Sequence, residues 1–203
     1  MPKVVAGYKE EARRTILETA GAVFARKGYV NSTMDDVAKA LGVSKGAVYQ
    51  YFSSKDQLFK ELCSVTANMV AERLGDAFAG PDLRKSAEGY MNMELDKFEK
   101  RGLVMFEAIA QAPRDKPIAE VVGNNYTVVL GVMTRFLEAL KQKGNLSQHF
   151  ESSRAAELLI ALRHGVLATT LQGVSREDAV RTWMNGFDSI IGPFIVKRGN
   201  GHK

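Results

Sequence analysis

Residues 44–55 read Ser-Lys-Gly-Ala-Val-Tyr-Gln-Tyr-Phe-Ser-Ser-Lys. Lys45 carries a cationic donor that suits a guanine edge or a phosphate, and the Gln50 amide suits adenine. The hydroxyls of Tyr49 and Tyr51 can donate to phosphate oxygens. Gly46 and Ala47 are small enough for close approach to bases and thymine methyls. Lys55 adds a cation at a helix start, where a phosphate would meet an amine and free backbone N–H groups together. The chemistry in view is contact with duplex DNA. The same residues suit an isolated helix badly. Lys45 sits at the wrong end for the helix dipole. Gly46 in a first turn costs about 1 kcal/mol relative to Ala. Such local conflicts are expected where function sets the residue. The bland alternative is a helical hairpin in an ordinary core, with Lys45 solvated and the tyrosines packed.

Two short helices must hold this segment. Thr33 is an N-cap and Asp36, three residues on, completes a capping-box signal. Asp35 and Asp36 suit the positive end of the dipole. Val37, Ala38 and Leu41 form one apolar stripe, and Gly42 can end the helix at positive φ. Val43 is expected to turn back into the core. Ser44 caps the second helix, whose Val48 and Phe52 face inward. Ser53 with Asp56, or Ser54 with Gln57, then opens a long helix. Upstream, about 9–27, Ala12, Ile16, Ala20, Val23 and Phe24 share a face, and Gly28 stops the helix. This is a helix-turn-helix in a three-helix head.

Residues 10–62 resemble the DNA-binding domain of the TetR family of transcriptional regulators. The matching residues are Ile16-Leu17, Ala20, Phe24, Gly28-Tyr29, Thr33, Val37-Ala38, Leu41-Gly42-Val43-Ser44, Gly46, Val48-Tyr49, Tyr51-Phe52, Lys55 and Leu58. The resemblance covers about a quarter of the chain. It implies that Thr33, Tyr49, Tyr51 and Lys55 hold the phosphate backbone while Lys45, Gly46, Ala47 and Gln50 read bases. Asp35 stands where some members carry a basic reading residue; here it is acidic and is assigned to capping alone.

The charge distribution agrees. Residues 1–55 hold nine Lys/Arg against five Asp/Glu, and residues 56–203 hold 19 against 18, within a net charge of +5. The positive excess lies in the head, as an electrostatic footprint for DNA should. Lys3, Lys9, Arg13 and Arg14 could form a basic arm against DNA or could simply solubilise the first helix. A non-specific architectural binder would spread basic charge over the whole chain. Cys63 is the lone cysteine, which excludes an internal disulfide and a cysteine zinc site and suggests a small buried filler. No run approaches ~18 uninterrupted apolar residues. The start, Met-Pro-Lys-Val-Val-Ala-Gly, lacks the apolar stretch of a signal peptide, so a cytoplasmic location is expected.

The remainder reads as helices over about 55–78, 82–101, 103–112, 117–143, 152–171 and 176–194. The expected class is all-α with about nine helices. A helix-turn-helix DNA-binding domain over 1–54 precedes a larger effector-binding and dimerisation domain over 55–203. Tyr90, Met93, Phe98, Met105, Phe106, Ile109, Tyr126 and Met133 are candidates for an apolar effector pocket, although such stripes are more often plain core. By the resemblance, the last two helices form a four-helix bundle with a second copy; Leu159, Leu162, Val166, Trp183, Phe187 and Ile190 are the interface candidates, with Gly165, Ala168 and Gly186 permitting close approach. Two reading heads about 34–36 Å apart would address a palindrome. His149, His164 and His202 show no ligand-like spacing, and no nucleophile–base set is visible, so neither an enzyme, a metal nor a cofactor is expected. The function implied is a homodimeric, ligand-responsive repressor released by a small hydrophobic effector; an activator, or a regulator without a ligand, is the alternative.

Overall fold

The computed structural model describes residues 6–101 and 103–196. The described chain is all-helical: α1 (Ala6–Lys27), α2 (Met34–Leu41), α3 (Lys45–Tyr49), α4 (Lys55–Ala77), α5 (Leu83–Arg101), α6 (Leu103–Gln111), α7 (Lys116–Gln142), α8 (Ser152–Leu171) and α9 (Arg176–Ile190). Short 3-10 turns follow α6 at Ala112–Arg114 and α9 at Gly192–Phe194. The ninth helix therefore stops before its expected end at 194. Pro193 supplies no backbone donor and disfavours the α conformation at Gly192, so the last turn tightens instead. The expectations for Lys3 and Cys63 fall outside the described residues.

Packing divides the chain into two compact units: Met1–Thr66 with Lys97–Asn125, and Ala67–Asp96 with Tyr126–Lys203. The packing boundary thus differs from a cut between residues 54 and 55. The physical reason is a shared core. Val104 and Ala108 of α6 and Ile118 and Val121 of α7 bury with Phe24, Val37, Val48, Phe52 and Phe59 of the head. At its centre the Phe24, Tyr29 and Phe59 rings meet, with Tyr29 4.5 Å from Phe59 and 5.4 Å from Phe24 between centroids.

In the second unit α8 and α9 pack together, and the Trp183 indole Nε1 donates to the Ala87 carbonyl of α5 at 2.9 Å. Gly186 is set where α9 meets Leu162 of α8; a Cβ there would collide with the Leu162 side chain. Ser175 caps α9 by accepting from the Asp178 N–H at 3.1 Å and donating to its carboxylate at 2.8 Å. His164 on α8 is held neutral: burial first, then the Arg163 charge, lower its pKa to about 4, with Glu94 opposing. A base whose folded pKa lies below its unfolded value contributes full stability above the unfolded pKa and loses it as pH falls towards the folded one. Acidification from neutrality to about pH 4 is therefore expected to cost about 1–3 kcal/mol at this site after allowance for partial exposure. Urea unfolding across that window should show His164→Gln with a flatter pH profile than the parent; parallel profiles would contradict the assignment.

Candidate nucleic-acid interface

The reading surface is built by local caps on a buried base. The Thr33 hydroxyl accepts from the Asp36 N–H at 3.2 Å, while the Asp36 carboxylate accepts from the Thr33 N–H at 2.9 Å. Lys27 closes on the same carboxylate at 2.6 Å. The Lys27 bond first, then Thr33, lower the Asp36 pKa to about 2. Gly42 takes φ +70°, and its N–H with that of Val43 returns to the last carbonyls of α2. Val43 itself is 45% exposed, so it is the Val43 amide rather than its side chain that turns inward. Ser44 then caps α3, accepting from the Ala47 N–H at 3.2 Å. Val48 and Phe52 are fully buried and fix which face of α3 points out.

That outward face carries the expected residues. Ser44, Lys45, Gly46, Tyr49 and Gln50 are exposed, and Ala47 and Tyr51 are half-buried. The Lys45 amine sits 5.9 Å from the Tyr49 ring centroid. Among the described residues, the Lys45 ammonium, the Gln50 amide and the Tyr49 hydroxyl have no hydrogen-bond partner. A cation, an amide and a phenol are thus presented together over a small-residue floor at Gly46 and Ala47.

Three residues read as DNA contacts are engaged within the fold. Thr33 directs its hydroxyl proton to Asp36 at 2.8 Å as well as its N–H, so both of its donors are occupied. The Lys55 amine donates to the carbonyls of Tyr29 at 2.9 Å and Val30 at 3.2 Å and lies 4.4 Å from the Tyr29 ring centroid. Arg13 pairs with Glu61, donates to the Tyr51 carbonyl at 2.9 Å and stacks 4.4 Å over Phe52, so it clamps α1 to the end of α3 and to α4 rather than forming a free arm. Arg14 is exposed and pairs with Glu11. Ser54 caps α4 by accepting from the Gln57 N–H at 3.0 Å, and Gln57 reaches back to the Ser53 N–H at 2.6 Å. Lys55→Met is accordingly expected to lower stability by about 1–3 kcal/mol, the worth of charge-assisted bonds to two carbonyls. A residue that touched phosphate alone would leave the urea midpoint unchanged and reduce only the salt dependence of DNA binding, by about one unit of slope.

One supporting residue carries no signal in the head's own sequence. Glu107 of α6 accepts from the Tyr29 N–H at 2.6 Å and lies against Gly28, whose φ of +82° makes the corner between α1 and α2. The Tyr29 hydroxyl donates to Asp56 at 2.5 Å. Tyr29 therefore joins α1, α4 and α6 behind the reading surface. Glu107 is separated from it by 78 positions, which no local pattern records.

The pocket and interface candidates separate on inspection. Tyr90 and Met133 line an apolar cavity in the second unit, whereas Phe98 and Phe106 stack edge-on in the first. Met93 and Met105 are half-buried, and Ile109 and Tyr126 are exposed and so line no enclosed space. Of the interface candidates, Leu159, Val166, Trp183 and Phe187 are buried inside their own unit and supply its core. Leu162 and Ile190 are half-buried, and Gly186 serves the contact between α8 and α9 of one chain. The large apolar residues exposed on this pair are Leu158 and Leu171. Among the described residues no group of three His, Cys, Asp or Glu could hold a metal, and no helix is long and apolar enough to cross a membrane.

Comparison with known proteins agrees with this geometry. Residues 16–62 match the sequence model described as bacterial regulatory proteins, tetR family. The HTH-type transcriptional regulator UidR of Escherichia coli K12 is 24% identical over 92% of this chain and 94% of its own length. The HTH-type transcriptional repressor BepR of Brucella suis is 26% identical, covering 84% of this chain and 85% of that protein. The structure of an SmeT–triclosan complex superposes with a TM-score of 0.72 at 22% identity, over 93% of each chain. The matched segment contains α2, α3 and the residues exposed on them, and the similarity to proteins named as transcriptional regulators runs on through most of the chain: residues 16–62 are similar to tetR-family regulatory proteins, and the whole described chain shares their fold.

Proposed function

We propose that the protein binds a palindromic operator as a homodimer and represses transcription until a small apolar effector releases it. The reading is carried by the exposed Lys45, Gly46, Tyr49 and Gln50, with half-buried Ala47 between them, on a two-helix frame whose other face is buried. Lys45 and Gln50 read base edges, Ser44, Tyr49 and Tyr51 donate to phosphates, and Thr33 and Lys55 act chiefly by holding the frame. Functionally, residues 1–54 carry the reading head and residues 55–203 carry effector binding and dimerisation, in a cytoplasmic protein.

Dimerisation is supported by a physical need and by surface chemistry. One α3 of five residues covers few base pairs, whereas two copies on a twofold axis address successive major grooves. Leu158 and Leu171 offer exposed apolar surface on α8, beside half-buried Leu162 and Ile190. Repression is supported by the name of the Brucella relative, and a small-molecule effector by the triclosan complex of a protein with this fold. An effector acts only through its different affinity for the DNA-binding and released states, typically ~1–3 kcal/mol of coupling.

Selection of bound duplexes from a random pool, with sedimentation of the free protein, tests the reading. The expected outcome is an inverted repeat with half-sites about one helical turn apart and a dimeric species. Recovery of unrelated sequences by a monomer would overturn it. Activation instead of repression in a reporter strain would favour the alternative.

A further inference from the structure

Two guanidinium groups and one carboxylate are buried together in the second unit. Arg73 of α4 donates to Glu94 Oε1 at 2.5 Å, and Arg163 of α8 donates to Glu94 Oε2 at 2.7 Å. The three side chains are 10%, 11% and 2% exposed, for Arg73, Arg163 and Glu94 in turn. Each carboxylate oxygen already has its guanidinium, so the cluster retains one positive charge in excess. Burial of an uncompensated charge is costly. The neighbours do not relieve it. His164 is neutral, and Asp96, two residues beyond Glu94, is exposed and pairs with Arg176.

Two buried polar atoms there have no hydrogen-bond partner: Arg73 Nε and the Tyr90 hydroxyl. Buried unsatisfied groups are rare and call for an explanation. Burial first, aided by the Glu94 charge and opposed by those of Arg163 and Arg73, raises the Tyr90 pKa to about 12, so its hydroxyl is a donor at neutral pH. Tyr90 also lines an apolar cavity with Leu74, Phe78, Met133, Phe136 and Trp183. One side chain therefore belongs to both the charged cluster and the apolar cavity. The enclosed space is about 20 Å³, so a ligand must widen it; the unbranched Met133 is suited to such repacking.

We propose that this cavity and cluster form the effector site, and that the effector is a small monocarboxylate with an apolar body. Its carboxylate takes up the excess charge at Arg73 and accepts from the Tyr90 hydroxyl. Its body displaces side chains of the aromatic-rich cavity. A neutral molecule leaves the excess charge in place, and a dianion overcompensates it. The inference rests on the reading of the protein as an effector-responsive regulator, and it narrows the effector from apolar to apolar and acidic.

Trp183 is the single tryptophan of the chain and lines the cavity, so its emission reports occupancy without DNA. The full-length protein is titrated with octanoate and with 1-octanol, which share a chain length and differ in the head group. Octanoate is expected to change Trp183 emission saturably and to bind about tenfold or more tightly than octanol, the worth of a charged hydrogen bond. Arg73→Gln should abolish that preference. Tyr90→Phe, which keeps the ring, should weaken octanoate several-fold and leave octanol unchanged; it also serves if Arg73→Gln fails to fold by circular dichroism. Equal binding of the two probes, no saturable octanoate binding, or unchanged octanoate affinity in Tyr90→Phe overturns the proposal. Operator binding is measured separately. Release of operator by octanoate supports the effector assignment. Octanoate bound with operator affinity unchanged overturns that assignment, and intact operator recognition without octanoate binding overturns the acid site while sparing the regulator reading.

Discussion

Glu94→Leu is expected to destabilise the protein by about 3–5 kcal/mol, a large share of the 5–15 kcal/mol typical of a folded domain. Glu94 is the shared partner of Arg73 and Arg163, and all three side chains are nearly inaccessible. Burial alone would raise its pKa, yet the charges of Arg163 and Arg73 and their hydrogen bonds hold it below the usual carboxylate value. Removing the carboxylate leaves two guanidiniums facing each other in a poorly solvated site. The triple variant Arg73→Met, Glu94→Leu, Arg163→Met should be far less affected, because no charge is then stranded. Urea unfolding of the two variants distinguishes this account from simple loss of packing. A single variant within about 1 kcal/mol of the parent would mean that water reaches the cluster freely.

The second large effect is expected in DNA binding. Gln50→Ala should relax preference at one base-pair position in each half-site, at about 1–3 kcal/mol per lost bidentate contact. In a dimer the contact is lost twice, so the two half-sites together amount to about 2–6 kcal/mol. The Gln50 side chain is exposed, and only its backbone N–H takes part in the end of α3, so the unfolding midpoint should stay unchanged. Competition against duplexes carrying each of the four bases at that position provides the measurement. Uniform weakening on every sequence, with the preference intact, would assign Gln50 to the phosphate backbone instead.

What sequence reading recovered here is mostly what local chemistry determines. Thr33 with Asp36, Gly42, Ser44, and Ser175 with Asp178 mark helix ends because each cap closes within three or four residues. The outward set on α3 was legible for the same reason: buried Val48 and Phe52 fix the helix's rotation. Contacts between distant segments were not legible. Nothing near Lys55 announces that the carbonyls of Tyr29 and Val30 occupy its amine, and nothing near Arg13 announces Glu61 and Phe52. The same limit explains the interface candidates. Periodicity shows that α8 and α9 are apolar, but which apolar face meets the chain's own core depends on neighbours from elsewhere, and Leu159, Val166, Trp183 and Phe187 prove to be core. The buried Arg73, Glu94 and Arg163 cluster lies on three helices and has no local pattern at all.

The close passage of Gly186 against Leu162 also constrains how this pair of helices can change over generations. A methyl at position 186 overlaps the tips of the leucine and presses on its branch carbon, so the leucine must change rotamer, shift or shrink to admit it. Drift at these two sites is therefore coupled, and a substitution that is costly in this background can be harmless in a descendant that has already lost the leucine.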